Sequence, residues 1–505
     1  MRLPFPERIS LLHAISFAGL LAIAQLVEGT SALFTLCSFL FILIATITFN
    51  AAGGFSRTSG SYVFFYAVLG VIVGLCWKAI LGEPADSNLS VPLLTIAVYV
   101  GGISAMFVAV YLGRKLTTKR ALLGDMLAET KVQNATIGCM VTGILISFLT
   151  MAFAHPNGSV LSALQQLDRF LPMAIILGVS YQIRKSGGTS SVNLPVLISF
   201  VALFITGVIS FSKEGMITPF LCWIVAACSL RYRVSGYQIV GGILAGVFIF
   251  RFLVPYSQYG RDFQTKSFSG NFNTAVSLLS NLSYVREQYA AVSEDSRDVV
   301  AWSYYDTPQG FFDRLQMIAP DDSLIAFTEQ RGAFGLLPLA LSFEDLVPHV
   351  FWPNKPTIIS GNFYMHEMGT ISEEDTSTGI SFTPTGEAYH LARWTGVLVV
   401  APILWMILFI IFDSLCGDVR KSPWGLVVLV VFSHAAPEGL LSSVIYMYFY
   451  TTCMVVLTAL SVSYIMPLIG TMLAGPEGLA LRRERPIRSF PRRIASSSRA
   501  EGIGS

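Results

Sequence analysis

Glu387 and His390 stand three residues apart in the segment Gly386-Glu-Ala-Tyr-His390, just ahead of a long apolar run. In a helix that spacing puts both side chains on one face. A carboxylate beside an imidazole can take the proton from a hydroxyl as it attacks an electrophile, and burial beside the apolar run would tune such a pair for that work. The competing reading makes Glu387 a helix-capping carboxylate and Tyr389 part of an interfacial aromatic belt. A second pair, His434 and Glu438, lies at i and i+4 within another apolar run. Ionisable residues at that depth face a cavity or a partner, unless Pro437 ends the helix and leaves Glu438 in a loop.

Cations gather in the same part of the chain. Arg251 ends an apolar run, Arg261 follows ten residues later, and Arg314, Arg331, Lys355 and Arg393 come after it. Guanidinium groups at a water–lipid boundary suit a pyrophosphate, which they can hold bidentately; singly, each would serve as a snorkelling anchor of a helix end. His349, His366 and His390 share this region with many carboxylates, but their spacing matches no familiar ligand pattern, so neither a metal nor a cofactor is expected. No Walker loop, zincin motif or serine nucleophile elbow is present. The acidic run Glu373-Glu-Asp375 reads as solvated surface.

These residues are positioned by an unusually apolar chain. Of 505 residues, 53% are hydrophobic and only 13% charged, the composition of a polytopic membrane protein. Continuous apolar runs, and not alternating ones, predict helices and exclude a barrel. Runs fall at 9–27, 31–49, 62–81, 91–113, 134–154, 170–183, 194–211, 216–230, 236–254, 395–412, 424–441 and 444–469, which predicts an all-α fold of about twelve spans. Four regions follow: a bundle over 1–254, a polar island over 255–394, three further spans over 395–470, and a basic, disordered tail over 471–505. The first run, after Arg2 to Arg8, reads as a retained helix and not as a cleaved signal.

Orientation follows from Lys and Arg in the short connections. Arg57, then Arg114 to Lys131, Arg184 with Lys185, Arg231 with Arg233, and Arg420 with Lys421 all fall on one side, as does the tail from Arg482 to Arg493. That side is the cytoplasm, which places both termini inside and the island outside. The net charge of +2 is sorted by membrane side and points to no nucleic acid, and none of the seven cysteines lies in the island. Within it, Phe272 to Val292 has a helical period, Ser323 to Thr328 forms a short helix capped by Asp321-Asp322, and the many prolines argue against long elements.

The layout, the segment Pro348, Trp352, Pro353, Lys355, Pro356 and the downstream Gly386, Glu387, Tyr389, Gly396 resemble bacterial Wzy-type O-antigen or exopolysaccharide repeat-unit polymerases. The resemblance covers the general layout of the whole chain and specific residues only from Pro348 to Gly396. It implies a type C-like membrane glycosyltransferase of the bacterial inner membrane. Donor and acceptor would be polyprenyl-pyrophosphate-linked oligosaccharides, with membrane lipid, a chain-length regulator and a flippase as partners. Glu387 or His390 would be the base of a metal-independent inverting displacement. Arg251, Arg261, Arg314, Lys355 and Arg393 would hold the pyrophosphate, with His349 standing where family members often have arginine; His434 and Glu438 would be additional site residues. An Arg-Gly pair often seen in the penultimate span is replaced by the region His434 to Gly439. The rival expectations are an O-antigen ligase using the same donor, a polysaccharide or lipid-linked sugar transporter, and a non-catalytic scaffold.

Overall fold

A bilayer core offers no water to the backbone, so each apolar run must close its own hydrogen bonds as a helix. The computed structural model describes residues 1–153, 164, 168–265, 267–295, 303–307, 309–310, 312–347, 352, 360–372, 374 and 380–474. Among these the chain is all-α, with no named strand and seventeen helices. The first bundle comprises α1 (Leu11–Val27), α2 (Ala32–Ala52), α3 (Thr58–Leu81), α4 (Pro92–Leu116), α5 (Glu129–Ala152), α6 (Phe170–Lys185), α7 (Leu194–Ile209), α8 (Lys213–Ser229) and α9 (Gly236–Arg261). The island holds α10 (Phe268–Leu279), α11 (Leu282–Asp295), α12 (Ile318–Arg331), α13 (Leu337–Glu344) and α14 (Ser360–Glu367). The chain then returns through α15 (Pro384–Cys416), α16 (Pro423–Glu438) and α17 (Leu441–Ala474).

Among the described residues seven helices, α2, α3, α4, α5, α9, α15 and α17, are long and apolar enough to cross a membrane, and α1 and α7 are shorter apolar helices. The protein is therefore a multi-pass, all-helical membrane protein. The remaining apolar runs are the 16- and 17-residue helices α6, α8 and α16.

Two local expectations are corrected, and one rival reading is set aside. The periodic stretch Phe272 to Val292 is two helices, α10 and α11, interrupted at Ser280 and Asn281. Helix α12 begins at Ile318, not after Asp321-Asp322, because a proline in the first turn (Pro320) loses no intrahelical bond there. Both aspartates are thereby freed for other partners. Pro437 lies inside α16 and does not end it early, so Glu438 is its last helical residue and not a loop residue.

The core runs through α2, α3, α4, α15 and α16, while α9 packs with α10 and α11 around a separate cluster that includes Phe211, Leu253 and Tyr256. Two helix starts are capped by carboxylates from distant elements. Asp413 of α15 accepts from Thr58 Oγ1 (2.7 Å), Ser59 N (3.1 Å) and Ser59 Oγ (2.6 Å) at the start of α3. Asp322 of α12 accepts from Ser90 N (2.5 Å), Val91 N (3.1 Å) and Thr95 Oγ1 (2.7 Å) at the start of α4. Each caps N–H groups that a helix leaves without partners and places negative charge at the positive end of its dipole. The island also grips the end of α3, where buried Lys78 pairs with Glu83 at 2.8 Å and Glu83 accepts from Asp306 N. The island thus sits at the end of the bundle opposite Arg57 and Arg420.

Helices α5 and α17 cross where Gly138 faces the Met466 carbonyl and Gly470 faces the Asn134 carbonyl; a Cβ would lie 2.1 Å and 1.9 Å from those oxygens. Small residues permit this backbone approach in a membrane. Gly138→Val is expected to destabilise the protein by ~1–3 kcal/mol or more, read as a lower melting temperature in detergent. Gly19→Val, where nothing lies within 4 Å, should leave melting unchanged.

Candidate functional site

Helix α15 is broken where it meets the island. Ala392 has φ −150° and Arg393 has φ 49° with ψ −138°, a conformation that strains any residue with a side chain. Before the break, Pro384 to Leu391 form a short arm in which every residue is buried. The arm carries both Glu387 and His390, on one helical face as their spacing predicts.

The arm is held at its start by Asp321 of α12. This carboxylate accepts from Thr383 N at 3.0 Å, from Tyr99 Oη of α4 at 2.8 Å and, through a short bond, from Thr383 Oγ1. Thr383 Oγ1 in turn caps the arm by accepting from Gly386 N at 3.0 Å. A Cβ on Gly386 would lie 2.4 Å from the Asp321 carboxyl carbon, which is why glycine precedes Glu387. Tyr66 of α3 bonds Thr385 Oγ1 at 2.6 Å. Burial pushes the Asp321 carboxyl up to about 7, against its hydrogen bonds from Thr383 and Tyr99.

Glu387 is fully buried. Its Oε1 accepts from Tyr364 Oη of α14 at 2.6 Å, and its Oε2 accepts from Ser442 N of α17 at 2.9 Å, with Ser442 Oγ at 3.1 and 3.3 Å from the two oxygens. Burial, with the charge of Glu387 beside it, pushes the Tyr364 hydroxyl well above its usual range, so it stays a donor. Glu387 therefore joins three elements, and both its oxygens are occupied.

His390 is differently placed. Its ring stacks on Phe334 (5.6 Å, 19°) and meets the edge of Tyr364 at 4.9 Å. Nδ1 lies 2.9 Å from Thr328 Oγ1 of α12, while Nε2 has no hydrogen-bond partner among the described residues and lies 3.7 Å from Oε2 of Glu367 at the end of α14. Glu367 is about one-third exposed, and partial burial raises its pKa. Just past the arm, Arg393 Nε is 3.5 Å from Glu329, which also accepts from Tyr389 Oη at 2.9 Å. Nearly half of the Arg393 side chain remains exposed.

The other expected site residues are dispersed. Arg251 lies exposed in a π-helical stretch of α9, and Arg261 ends that helix with Nε 3.4 Å from the Phe211 carbonyl, both in the separate α9–α11 cluster. Arg314 closes a 3-10 turn, Phe312–Arg314. His349, Lys355 and most of the segment around them, the acidic residues Glu373 and Asp375, and the tail from residue 475 lie outside the described residues. His434 and Glu438 form a half-exposed pair, 3.6 Å apart, at the end of α16 that leads into Ser442. Among the described residues no group of His, Cys, Asp or Glu is arranged to hold a metal.

Sequence reasoning missed Asp321 as a tether, and missed Thr328, Glu329, Tyr364, Glu367 and Ser442 altogether. Tyr364 and Glu367 share one face at i and i+3, and that was the local signal available.

No protein-family model, curated protein or solved structure matches the chain. The fold and site define a class: an all-helical, multi-pass membrane protein with a buried carboxylate–imidazole arm at one end of its bundle.

The Asp321 shift has a consequence for stability. Between about pH 4 and about pH 7 the folded chain keeps a proton that the unfolded chain releases, so this contribution is full at the acid end and lost as pH rises through about 7. In melting curves across that range, the fall in stability with rising pH should be shallower in Asp321→Asn than in the wild type. An equal slope in both would assign the dependence to other groups.

Proposed function

We propose that the protein is a membrane glycosyltransferase that polymerises polyprenyl-pyrophosphate-linked oligosaccharide repeat units into O-antigen or exopolysaccharide. In this reading the chain crosses a bacterial inner membrane about twelve times, with a type C glycosyltransferase-like layout, both termini in the cytoplasm and the island on the periplasmic side. The observation that carries it is the buried arm Pro384 to Leu391, which sets an imidazole with a free ring nitrogen beside a half-exposed arginine at the edge of the span.

The acceptor hydroxyl attacks the anomeric carbon of the donor, its proton passes to the Glu387–His390 pair, and the bond to the pyrophosphate oxygen breaks with its electrons on the leaving group. Single displacement inverts the anomeric configuration. Arg393 neutralises the developing charge, and its strained backbone fits a functional and not a structural selection. Lys355 and His349, in the chain between α13 and α14, and Arg314, Arg251 and Arg261 are the further cations of this reading, with His434 and Glu438 on its flank. The spans hold the polyprenyl tails, and the island covers the sugars and keeps out water that would hydrolyse the donor.

The test uses purified full-length protein in lipid, supplied only with polyprenyl-pyrophosphate-linked repeat units. Wild type is expected to build a ladder of longer lipid-linked glycans. Arg393→Gly relieves the positive φ, so it should melt at or above the wild-type temperature while extending glycans about 10²-fold more slowly. Movement of substrate between leaflets with no growth would replace this reading by a transporter.

A further inference from the structure

Both oxygens of Glu387 are engaged inside the protein, whereas His390 ends in a nitrogen that no group among the described residues satisfies and that is aimed at Glu367. The hydrogen bonds decide which nitrogen that is chemically. Thr328 has one hydroxyl proton, and the carbonyl of Leu324, 2.7 Å away, takes it. Thr328 Oγ1 can then only accept from the ring, so Nδ1 carries the proton and Nε2 the lone pair. The opposite tautomer would bury an N–H that stands 3.7 Å from Glu367 Oε2 and, among the described residues, within hydrogen-bond reach of no acceptor, and an orphaned N–H is rarer and costlier than an unused lone pair. Phe334 and Tyr364 pack the ring on its face and edge and prevent it from turning to another partner.

We infer that His390 takes the acceptor proton through Nε2, that Glu367 is the carboxylate partner of the imidazolium so formed, and that Thr328 is the positioning residue that fixes the ring's tautomer. This rests on the glycosyltransferase reading and assigns its base. The step balances: the acceptor O–H bond breaks, the proton joins Nε2, the oxygen bonds the anomeric carbon, and the pyrophosphate leaves with the electron pair of its bond. Glu367 is suited to its part because it is the one of these groups that reaches both the ring nitrogen and solvent. Glu387 then acts as a positioning residue, holding the arm between Tyr364 and Ser442.

Two readouts test this. In the full-length protein in lipid nanodiscs, labelled with nitrogen-15 at its six histidines, the resonance absent from His390→Gln should report a neutral ring protonated at Nδ1, and Thr328→Val should mix the two tautomers. A wild-type ring protonated at Nε2 would overturn the assignment whether or not the protein transfers sugars. In the glycan-extension assay, Glu367→Gln and His390→Gln should each lower kcat by ~10²–10⁴ with melting unchanged, and Thr328→Val should lower kcat more than it raises KM. Extension at the wild-type rate by Glu367→Gln would overturn the proposal while leaving the glycosyltransferase reading standing. No extension by the wild type, with the Nδ1–H tautomer present, would overturn the glycosyltransferase reading and with it the catalytic role assigned to His390.

Discussion

The rest of the structure depends on what two adjacent carboxylates on α12 hold. Asp322 caps the start of α4, and Asp321 accepts from Tyr99 farther along the same helix and from Thr383 at the root of the α15 arm. One short island helix is thereby fixed to the bundle and to the arm together. A buried carboxylate is costly unless its lone pairs are filled, so removing one donor penalises every element the carboxylate joins. The position of His390 relative to Glu367 and Arg393 follows from that anchoring.

Within the arm the same chemistry is used in two ways. Glu387 is enclosed and saturated, and it links α14, α15 and α17. His390, one turn on, is buried yet has one nitrogen without a hydrogen-bond partner among the described residues, next to a carboxylate that reaches solvent. A saturated buried network rigidifies its surroundings, and an unsatisfied atom held within such surroundings keeps its hydrogen-bonding capacity unused. The strain at Arg393 belongs to the same design: a residue with a side chain is kept at positive φ where α15 turns from arm to span.

Much of the architecture was legible without coordinates. Every apolar run is helical because lipid leaves the backbone no alternative, and a span of bilayer thickness needs about twenty residues. Glu387 and His390 were legible as one face because a helix repeats locally. The tethers were not legible: Tyr99 and Asp321 are 222 residues apart, Thr58 and Asp413 are 355 apart, and nothing in the neighbourhood of either residue names the other. Asp321 and Asp322 read locally as caps of their own helix, since only tertiary contact reveals that they cap α4 and hold the arm.

The sequence by itself determined the class, the helical runs and the pairing of carboxylate and imidazole on one face, all of which rest on hydrophobicity and short-range geometry. Tertiary structure alone decided that Glu387 is closed off while His390 keeps a free nitrogen, that Glu367 and Thr328 stand at its two ends, and that Arg251 and Arg261 sit in a different cluster. Those outcomes depend on which distant groups fill each hydrogen-bonding position, and that is settled by packing between helices and not by the order of residues within one.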